Sequence, residues 1–366
     1  MLEILPNADI NEFTGLPSEL YKGNPFYIPE LRADAKKLLT EDPFWLNAER
    51  VLFIARREGR PAGRIAAVIN RNHNEYWRDK TGFFGFFECE DNAQTAAALT
   101  AAAEAWLKQK GCAQMRGPLN PSSNHVCGVL LDNFDKEPCV MMPYNPPYYD
   151  GLLQNAGLRK AKDLLAFERT DKDEFSPRME KIMQRILKNP AVKIRAINLK
   201  NFDEEVETVR NIYNASWARN WGFVPITREE MLHTAKQLKL IVRPELTCVI
   251  EYSGAPAGFA VSVPNMNRVL KILGGGIGSP LRLLRALFAW RKIKDCRMIM
   301  LGVHPDCRGK GLELLLVRNI VVEGMAKGWN KAELSWILED NEAIIQTMLE
   351  AGCRRTKTYR IYQKDL

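Results

Sequence analysis

The chain has 366 residues, a formal net charge of +8, 46% hydrophobic residues and 26% charged residues. At about 100–200 residues per domain this length predicts two domains, and the composition excludes a disordered or collagen-like chain. No apolar run approaches the roughly 18–20 residues of a membrane span, and the opening MLEILPNADINEF has neither the basic nor the apolar region of a secretory signal, so the expected location is cytoplasmic.

In chain order, the first strong signal is VLFIARREGRPAGRIAAVIN, 51–70. Two apolar β-rich runs flank a Gly-x-Pro-Ala-Gly turn, which predicts a β-hairpin. The stretch 82–111 predicts a strand, an acidic turn (Glu88, Glu90, Asp91) and a helix. Two loops follow, 115–128 and 141–151. They offer Arg116, Asn120, Asn124, Tyr144, Asn145 and Tyr148, a polar and aromatic mixture suited to substrate contacts or to proline-stiffened packing. LLQNAGLRKAKDLLAF (152–167) predicts a helix stopped by Gly157, then a strand. The Ser-Pro and Asn-Pro that bound 176–190 are helix punctuation, and this segment predicts a connecting helix.

The second half opens the same way. LTCVIEYSGAPAGFAVSVPN, 246–265, is a second hairpin signal, and Gly258 lies 195 residues after Gly63. TMLEAGCRRTKTYRIY (347–362) matches 152–167, and Gly352 is again 195 residues after Gly157. Between them WLKQKGCAQMRG (106–117) parallels GMAKGWNKAELS (324–335) at an offset of 217, so about 22 residues are gained and then lost. Two landmarks at one offset argue for a duplicated unit. The expected domains are 1–175 and 191–366, joined by 176–190.

Charge is uneven. Residues 1–175 hold 21 Lys and Arg against 25 Asp and Glu, a net of −4; the remaining 31 and 19 give +12. A polyanionic ligand, if the protein binds one, is expected to favour the second half. The extra residues there, 268–297, hold eight basic residues and one Asp. From Leu281, Leu283, Leu284, Leu287, Phe288 and Trp290 share one broad side of a helix, with Arg282, Arg285 and Lys292 opposite. Three readings fit: a cover over a core face, a lid over an acyl chain or a peripheral membrane helix over 281–293, or a nucleic-acid contact, for which no recognisable motif is present. The glycine-rich 274–278 lacks the βαβ context of a dinucleotide fingerprint and predicts a turn. None of the eight cysteines has CxxC spacing and the four histidines are scattered, so reduced cysteines and no metal site are expected.

Chemistry concentrates in 297–328. Met298–Val303 predicts a buried strand, His304-Pro305-Asp306 breaks it, and Leu312, Leu315, Leu316 and Ile320 recur at helical spacing after Gly309. A basic, glycine-containing turn at a helix start presents backbone N–H groups and positive dipole to an anion such as a phosphate. Val303, Pro305, Arg308, Gly309 and Gly311 resemble the Val-x-Pro-x-x-Arg-Gly-x-Gly motif of the GCN5-related N-acetyltransferase (GNAT) family. The flanks agree: a strand at 332–338, then a helix led by Asn341 and ended by Gly352.

The resemblance implies an α/β (α+β) chain of two tandem acyl-CoA N-acyltransferase folds, each a mixed, mostly antiparallel sheet flanked by helices. It implies acetyl-CoA or a longer acyl-CoA as co-substrate, held by Leu301, Val303, Arg308, Gly309, Lys310, Gly311, Leu312 and Asn341. An amine on a small molecule or peptide would attack the thioester directly, with a general base and a thiolate-protonating acid. Glu339 is the expected base and Tyr359 the expected acid, because Met348 stands where the family usually has its acidic Tyr. Glu313 likewise stands where the family usually has a small residue. These two departures leave open a second reading, a catalytically inactive ligand-binding or regulatory protein. In the first half the turn carries acids and amides in place of Arg and Gly, which opposes a phosphate at that helix end. The N-terminal copy is therefore expected to be degenerate and to help form the acceptor site.

Overall fold

The computed structural model describes every residue except Ile277, so the turn expected over 274–278 falls partly outside the described residues. The chain forms two compact units. Unit one comprises Met1–Leu164, Met266–Arg291 and Lys357–Leu366; unit two comprises Leu165–Asn265 and Lys292–Thr356.

In unit one the strands run in the order Leu2–Pro6, Ala48–Arg57, Arg60–Asn70, Thr81–Cys89, Gln114–Gly117, then the chain's last residues. All these pairs are antiparallel except Thr81–Cys89 with Gln114–Gly117. Side chains alternate across a strand, so Val51, Phe53 and Ala55, and likewise Ile65 and Ala67, share one face. The helix Ala93–Gln109 lays Ala96, Leu99, Ala103 and Leu107 on that face. Their three- and four-residue spacing keeps them on one side of the helix.

Unit two repeats the plan. Its strands Val192–Ala196, Thr247–Tyr252, Ala255–Pro264, Asp295–Val303 and Lys331–Leu338 are neighbours in that order. Asp295–Val303 and Lys331–Leu338 form the parallel pair. Both faces of this sheet are covered. Cys248, Ile250 and Ala260 pack with Leu312, Leu315 and Leu316 of the helix Leu312–Ala326. The alternate residues Val249, Phe259 and Val261 pack with Val206, Val209 and Tyr213 of the helix Phe202–Trp217.

The duplication is visible at single residues. Both hairpins carry an irregularity two residue pairs before the turn, at Ala55/Arg56 and at Ile250/Glu251. A Cβ on Gly63 would lie 2.8 Å from the carbonyl oxygen of Glu88 and 2.7 Å from Leu99 Cδ1. A Cβ on Gly258 would lie 2.9 Å from the carbonyl oxygen of Gly302 and 3.2 Å from Leu316 Cδ1. The same close approach of the next strand and the covering helix requires glycine in both copies.

The units are not the contiguous stretches 1–175 and 191–366. The last strand of each half, Arg159–Thr170 and Arg354–Asp365, gives its later residues to the other unit. Tyr362–Asp365 accordingly pair with Gln114–Gly117 in unit one. The segment 176–190 does more than connect, because Met179 and Met183 of the helix Pro177–Leu187 are wholly buried in the core of unit two.

Most of the insertion, 268–291, belongs to unit one. Asn267 Nδ2 donates to the carbonyl of Pro138 at 2.7 Å, and Gly275 O accepts from Arg32 N at 3.0 Å. Its second helix, Pro280–Trp290, does not cover a core face with its leucines: only Ala286 and Ala289 are buried.

Candidate functional site

The site in unit two starts from backbone conformation. Gly309 and Gly311 hold φ of 72° and 73°, left-handed values that are costly for any residue with a Cβ. They turn the chain from the short helical turn Pro305–Cys307 into the helix Leu312–Ala326. Gly311 is the residue that caps this helix and no side chain caps it, so its first N–H groups are left for an external acceptor. The helix adds about half a positive charge there. Nothing lies within 4 Å of a Cβ built on Gly309, so the turn opens outward at that point. At Gly311 the opposite holds: a Cβ would lie 2.5 Å from Ile186 Cδ1, and Pro177–Leu187 thus forms the floor of the turn.

Side chains hold this turn in place. Arg308 Nη2 donates to the carbonyl of Ser216. Lys310 Nζ donates to the carbonyl of Asp306 at 3.2 Å and stands 5.3 Å from the centre of the Tyr252 ring. Leu312 is wholly buried and anchors the first helical turn.

Beside the turn the parallel pairing is incomplete. Asp295–Met298 pair with Lys331–Leu334, while 299–303 and 335–338 continue as strands without pairing with each other. The strand edge 299–303 beyond that point offers N–H and C=O groups to a ligand lying beside it. Trp217 Nε1 donates to one of them, the carbonyl of Leu301, at 3.3 Å. Arg297 closes the root of this opening. Its guanidinium donates to Ser335 Oγ at 2.8 Å and to the Ser335 carbonyl at 3.1 Å, and it stands 4.9 Å from the Trp336 ring centre. Ser335 Oγ in turn donates to Glu333 at 2.8 Å.

The matching turn in unit one is closed. Asn92 Oδ1 accepts from Thr95 N at 2.9 Å and caps the helix Ala93–Gln109. Arg57 donates to Asn92 at 2.6 Å, to Thr95 Oγ1 at 2.7 Å and to Glu90 at 2.7 Å. The helix end that lies open in unit two is here occupied by the chain's own side chains.

The structure gathers Leu301, Val303, Arg308, Gly309, Lys310, Gly311 and Leu312 along one strand end, turn and helix start. Asn341 caps the helix Glu342–Glu350 by accepting from Ile344 N at 3.3 Å. Glu339 follows the strand Lys331–Leu338 in unit two, half-buried, whereas Tyr359 is wholly buried in unit one. Met348 is a core residue, which accounts for an apolar side chain there.

The residues expected to meet a substrate in unit one are engaged internally. Asn120 Oδ1 accepts from Phe86 N at 2.5 Å. Asn145 brackets Leu130, accepting from its N–H at 2.7 Å and donating to its carbonyl at 3.1 Å. Tyr144 OH donates to the carbonyl of Phe134 at 3.1 Å, and Tyr148 OH to that of Cys89 at 3.0 Å. Asn124 N donates to Ser122 Oγ at 3.2 Å. Arg116 lies half-buried in the strand Gln114–Gly117, and burial lowers its guanidinium pKa.

Sequence reasoning missed one cluster in unit one. Glu88 accepts from Tyr21 OH at 2.5 Å and from Tyr149 OH at 2.8 Å, with Arg64 Nη2 at 3.5 Å. Burial raises the Glu88 carboxyl, against Arg64 and the two hydroxyls that favour its charged form. Tyr21 and Tyr149 lie 67 and 61 residues from Glu88, so no local pattern signals the cluster.

Protein YghO of Escherichia coli strain K12 is 34% identical over 378 residues, covering 99% of this chain and 94% of its own. Bacterial ceramide synthase of Caulobacter vibrioides is 32% identical over 370 residues, covering 98% of this chain and 95% of its own. Among solved structures, a tandem GNAT protein from the clavulanic acid biosynthesis pathway matches with a TM-score of 0.59 at 13% identity, over 100% of this chain and 98% of that one. A GCN5-related N-acetyltransferase from Sphaerobacter thermophilus matches with a TM-score of 0.54 at 12% identity, over 99% and 95%. No family model matches the chain.

Proposed function

This chain is a tandem-domain member of the GNAT superfamily, in one family with bacterial ceramide synthase and Protein YghO, and on that footing we propose that it is an acyl-CoA-dependent N-acyltransferase. The observation that carries the proposal is the uncapped helix start at Gly311 beside a parallel strand pair that stops at Met298 and Leu334. An open helix end with two left-handed glycines suits a pyrophosphate, and the strand edge 299–303 suits the amide-bearing arm that follows it in coenzyme A. The residues present therefore fit the co-substrate: N–H groups of 309–313 for phosphates, Arg308 as fixed positive charge, 299–303 for the arm.

The thioester of a bound acyl-CoA supplies an activated acyl carbon. An amine attacks that carbon, the C–S bond breaks, and the amine loses a proton while the thiolate gains one. Glu339 is the base we propose, because it follows directly on the strand that borders the opening. No role as acid is assigned to Tyr359, which is wholly buried in the sheet of unit one.

For the substrate class, the named activity of the Caulobacter relative points to an amide of a long-chain amino alcohol. A long-chain amine as acceptor and a fatty acyl-CoA as donor are the corresponding substrates here. Unit one holds no second CoA site in this reading, because Asn92 and Arg57 fill its helix end. The test is calorimetry with acetyl-CoA and long-chain acyl-CoAs, followed by mass spectrometry of the amide formed with long-chain amines. Binding is expected, with turnover that favours long chains; no binding by any acyl-CoA overturns the proposal. Binding without turnover across short and long amines would favour the ligand-binding reading, which Met348 in the core supports by removing the family's usual acid.

A further inference from the structure

The helix Pro280–Trp290 is seated the wrong way round for an ordinary surface helix. Its two buried residues are alanines, Ala286 and Ala289. Its large apolar residues point outward: Leu281 is 67% exposed, Leu284 64%, Leu287 46% and Phe288 62%. At 100° per residue these four lie together on the side away from Ala286 and Ala289. Leu283, on their flank, is also exposed. Surface helices bury this kind of stripe, and soluble monomers rarely expose a contiguous apolar patch of this kind without a partner for it.

The charges around the stripe have one sign. Arg285, beside Leu281 and Phe288, and Arg291, which follows the helix, are exposed, while the exposed Arg282 lies on the far side. No acidic residue occurs between Glu251 and Asp295. The arginines therefore have no carboxylate on their own segment to neutralise them. The helix is itself well anchored, because the short helix before it is tied to unit one through Asn267 and through Lys271, which pairs with Glu137.

We infer that this helix docks the protein on the surface of an anionic lipid bilayer. An apolar stripe that sinks to the acyl boundary, with arginines level with the phosphates, is the arrangement by which interfacial helices bind. A lipid surface satisfies both halves of the pattern at once: negative charge for Arg285 and Arg291, and hydrocarbon for Leu281, Leu284 and Leu287. The helix has 11 residues, which is too short to span, and no described helix is long and apolar enough to cross a membrane. The choice of a lipid surface over a protein partner also draws on the proposed function, since a long-chain amine and a fatty acyl chain partition into bilayers. The exposed leucines and arginines themselves are independent of that reading.

The experiment is co-sedimentation of the full chain with vesicles of phosphatidylcholine alone and of phosphatidylcholine mixed with phosphatidylglycerol. The wild type should sediment with the mixed vesicles and not with phosphatidylcholine alone. L281S/L284S/L287S should abolish sedimentation. R285Q and R291Q should each weaken it by roughly fivefold, and added salt should weaken it further. All these residues are exposed, so thermal unfolding and acyl-CoA binding should match the wild type, and that control separates the two proposals. Loss of vesicle binding with acyl-CoA binding intact is a docking defect; failure of the wild type to bind acyl-CoA while it sediments with vesicles sinks the proposed function and leaves the docking. The inference is overturned if the wild type does not sediment with anionic vesicles, or if both sets of variants sediment as it does. It is equally overturned if light scattering shows a dimer that L281S/L284S/L287S dissolves while no vesicle binds, which would make the stripe a contact between two copies.

Discussion

At the scale of single residues, two glycines only two positions apart, Gly309 and Gly311, behave differently. Gly309 needs only its left-handed backbone, because nothing stands within 4 Å of its missing Cβ. Gly309→Ala should therefore cost about 1 kcal/mol, the backbone strain alone. Gly311→Ala carries the same strain and a contact of 2.5 Å with Ile186 Cδ1, so it should lower the unfolding temperature further. In the double variant Ile186→Ala/Gly311→Ala, part of that extra cost should vanish, and a double-mutant cycle by urea unfolding would read it. Purely additive costs would show that Ile186 is not the floor of the turn. His73 gives a pH prediction. Burial pulls its imidazole down from 6.5 to about 4, against the upward pull of Asp79. The folded state thus prefers neutral His73, so this stability is complete above about pH 6.5 and is lost as pH falls toward 4, by roughly 3 kcal/mol in total. His73→Leu should flatten that acid limb, and an unchanged limb in unfolding curves across pH would contradict the account. The glycines and Arg308 are legible in the sequence because their motif is contiguous. Glu88 with Tyr21 and Tyr149 is not, because only folding brings those residues together.

At the scale of elements, the opening in unit two depends on where strand pairing stops. Arg297 marks that point by gripping both Ser335 Oγ and the Ser335 carbonyl from the neighbouring strand. Arg297→Ala would leave those oxygens buried without their donor, at a cost of about 3 kcal/mol or more. It should also weaken acyl-CoA binding by loosening the root of the opening, and calorimetry after a urea-unfolding control would separate the two effects. Retained stability would show that Ser335 finds another donor. The hairpins, the strand–turn–helix and the helix ended by Gly352 are all legible as local patterns, since each follows from periodicity and a punctuating glycine. The role of Pro177–Leu187 is not. Met179 and Met183 sit one helical turn apart, as they would on any amphipathic connector, and only the packed core shows them wholly buried beneath the site.

At the scale of the whole molecule, the 195-residue repeat is legible because duplicated turns keep their glycines, and Gly63 and Gly258 do so for one steric reason. The exchange of the last strands is hidden, because pairing of Tyr362–Asp365 with Gln114–Gly117 spans most of the chain. Half-charges also mislead: Arg268, Lys271, Arg282, Arg285 and Arg291 come from the basic half yet belong to unit one. The exchange makes a prediction. A fragment of residues 1–175 lacks the strand residues Tyr359, Ile361 and Tyr362, all buried in the complete chain. It should not show a cooperative thermal transition by circular dichroism, and a sharp native-like transition would contradict the assignment of 357–366 to unit one. Unit two, and not unit one, is where we propose that acyl-CoA is held, at the turn 308–313. Calorimetry with a long-chain acyl-CoA tests it most directly, on the wild type and on Gly309→Glu and Asp91→Ala. The account predicts binding by the wild type, loss of about tenfold or more in Gly309→Glu, whose carboxylate would enter the open side of the turn, and no change in Asp91→Ala. Absence of binding by the wild type, or equal binding by Gly309→Glu, would contradict it.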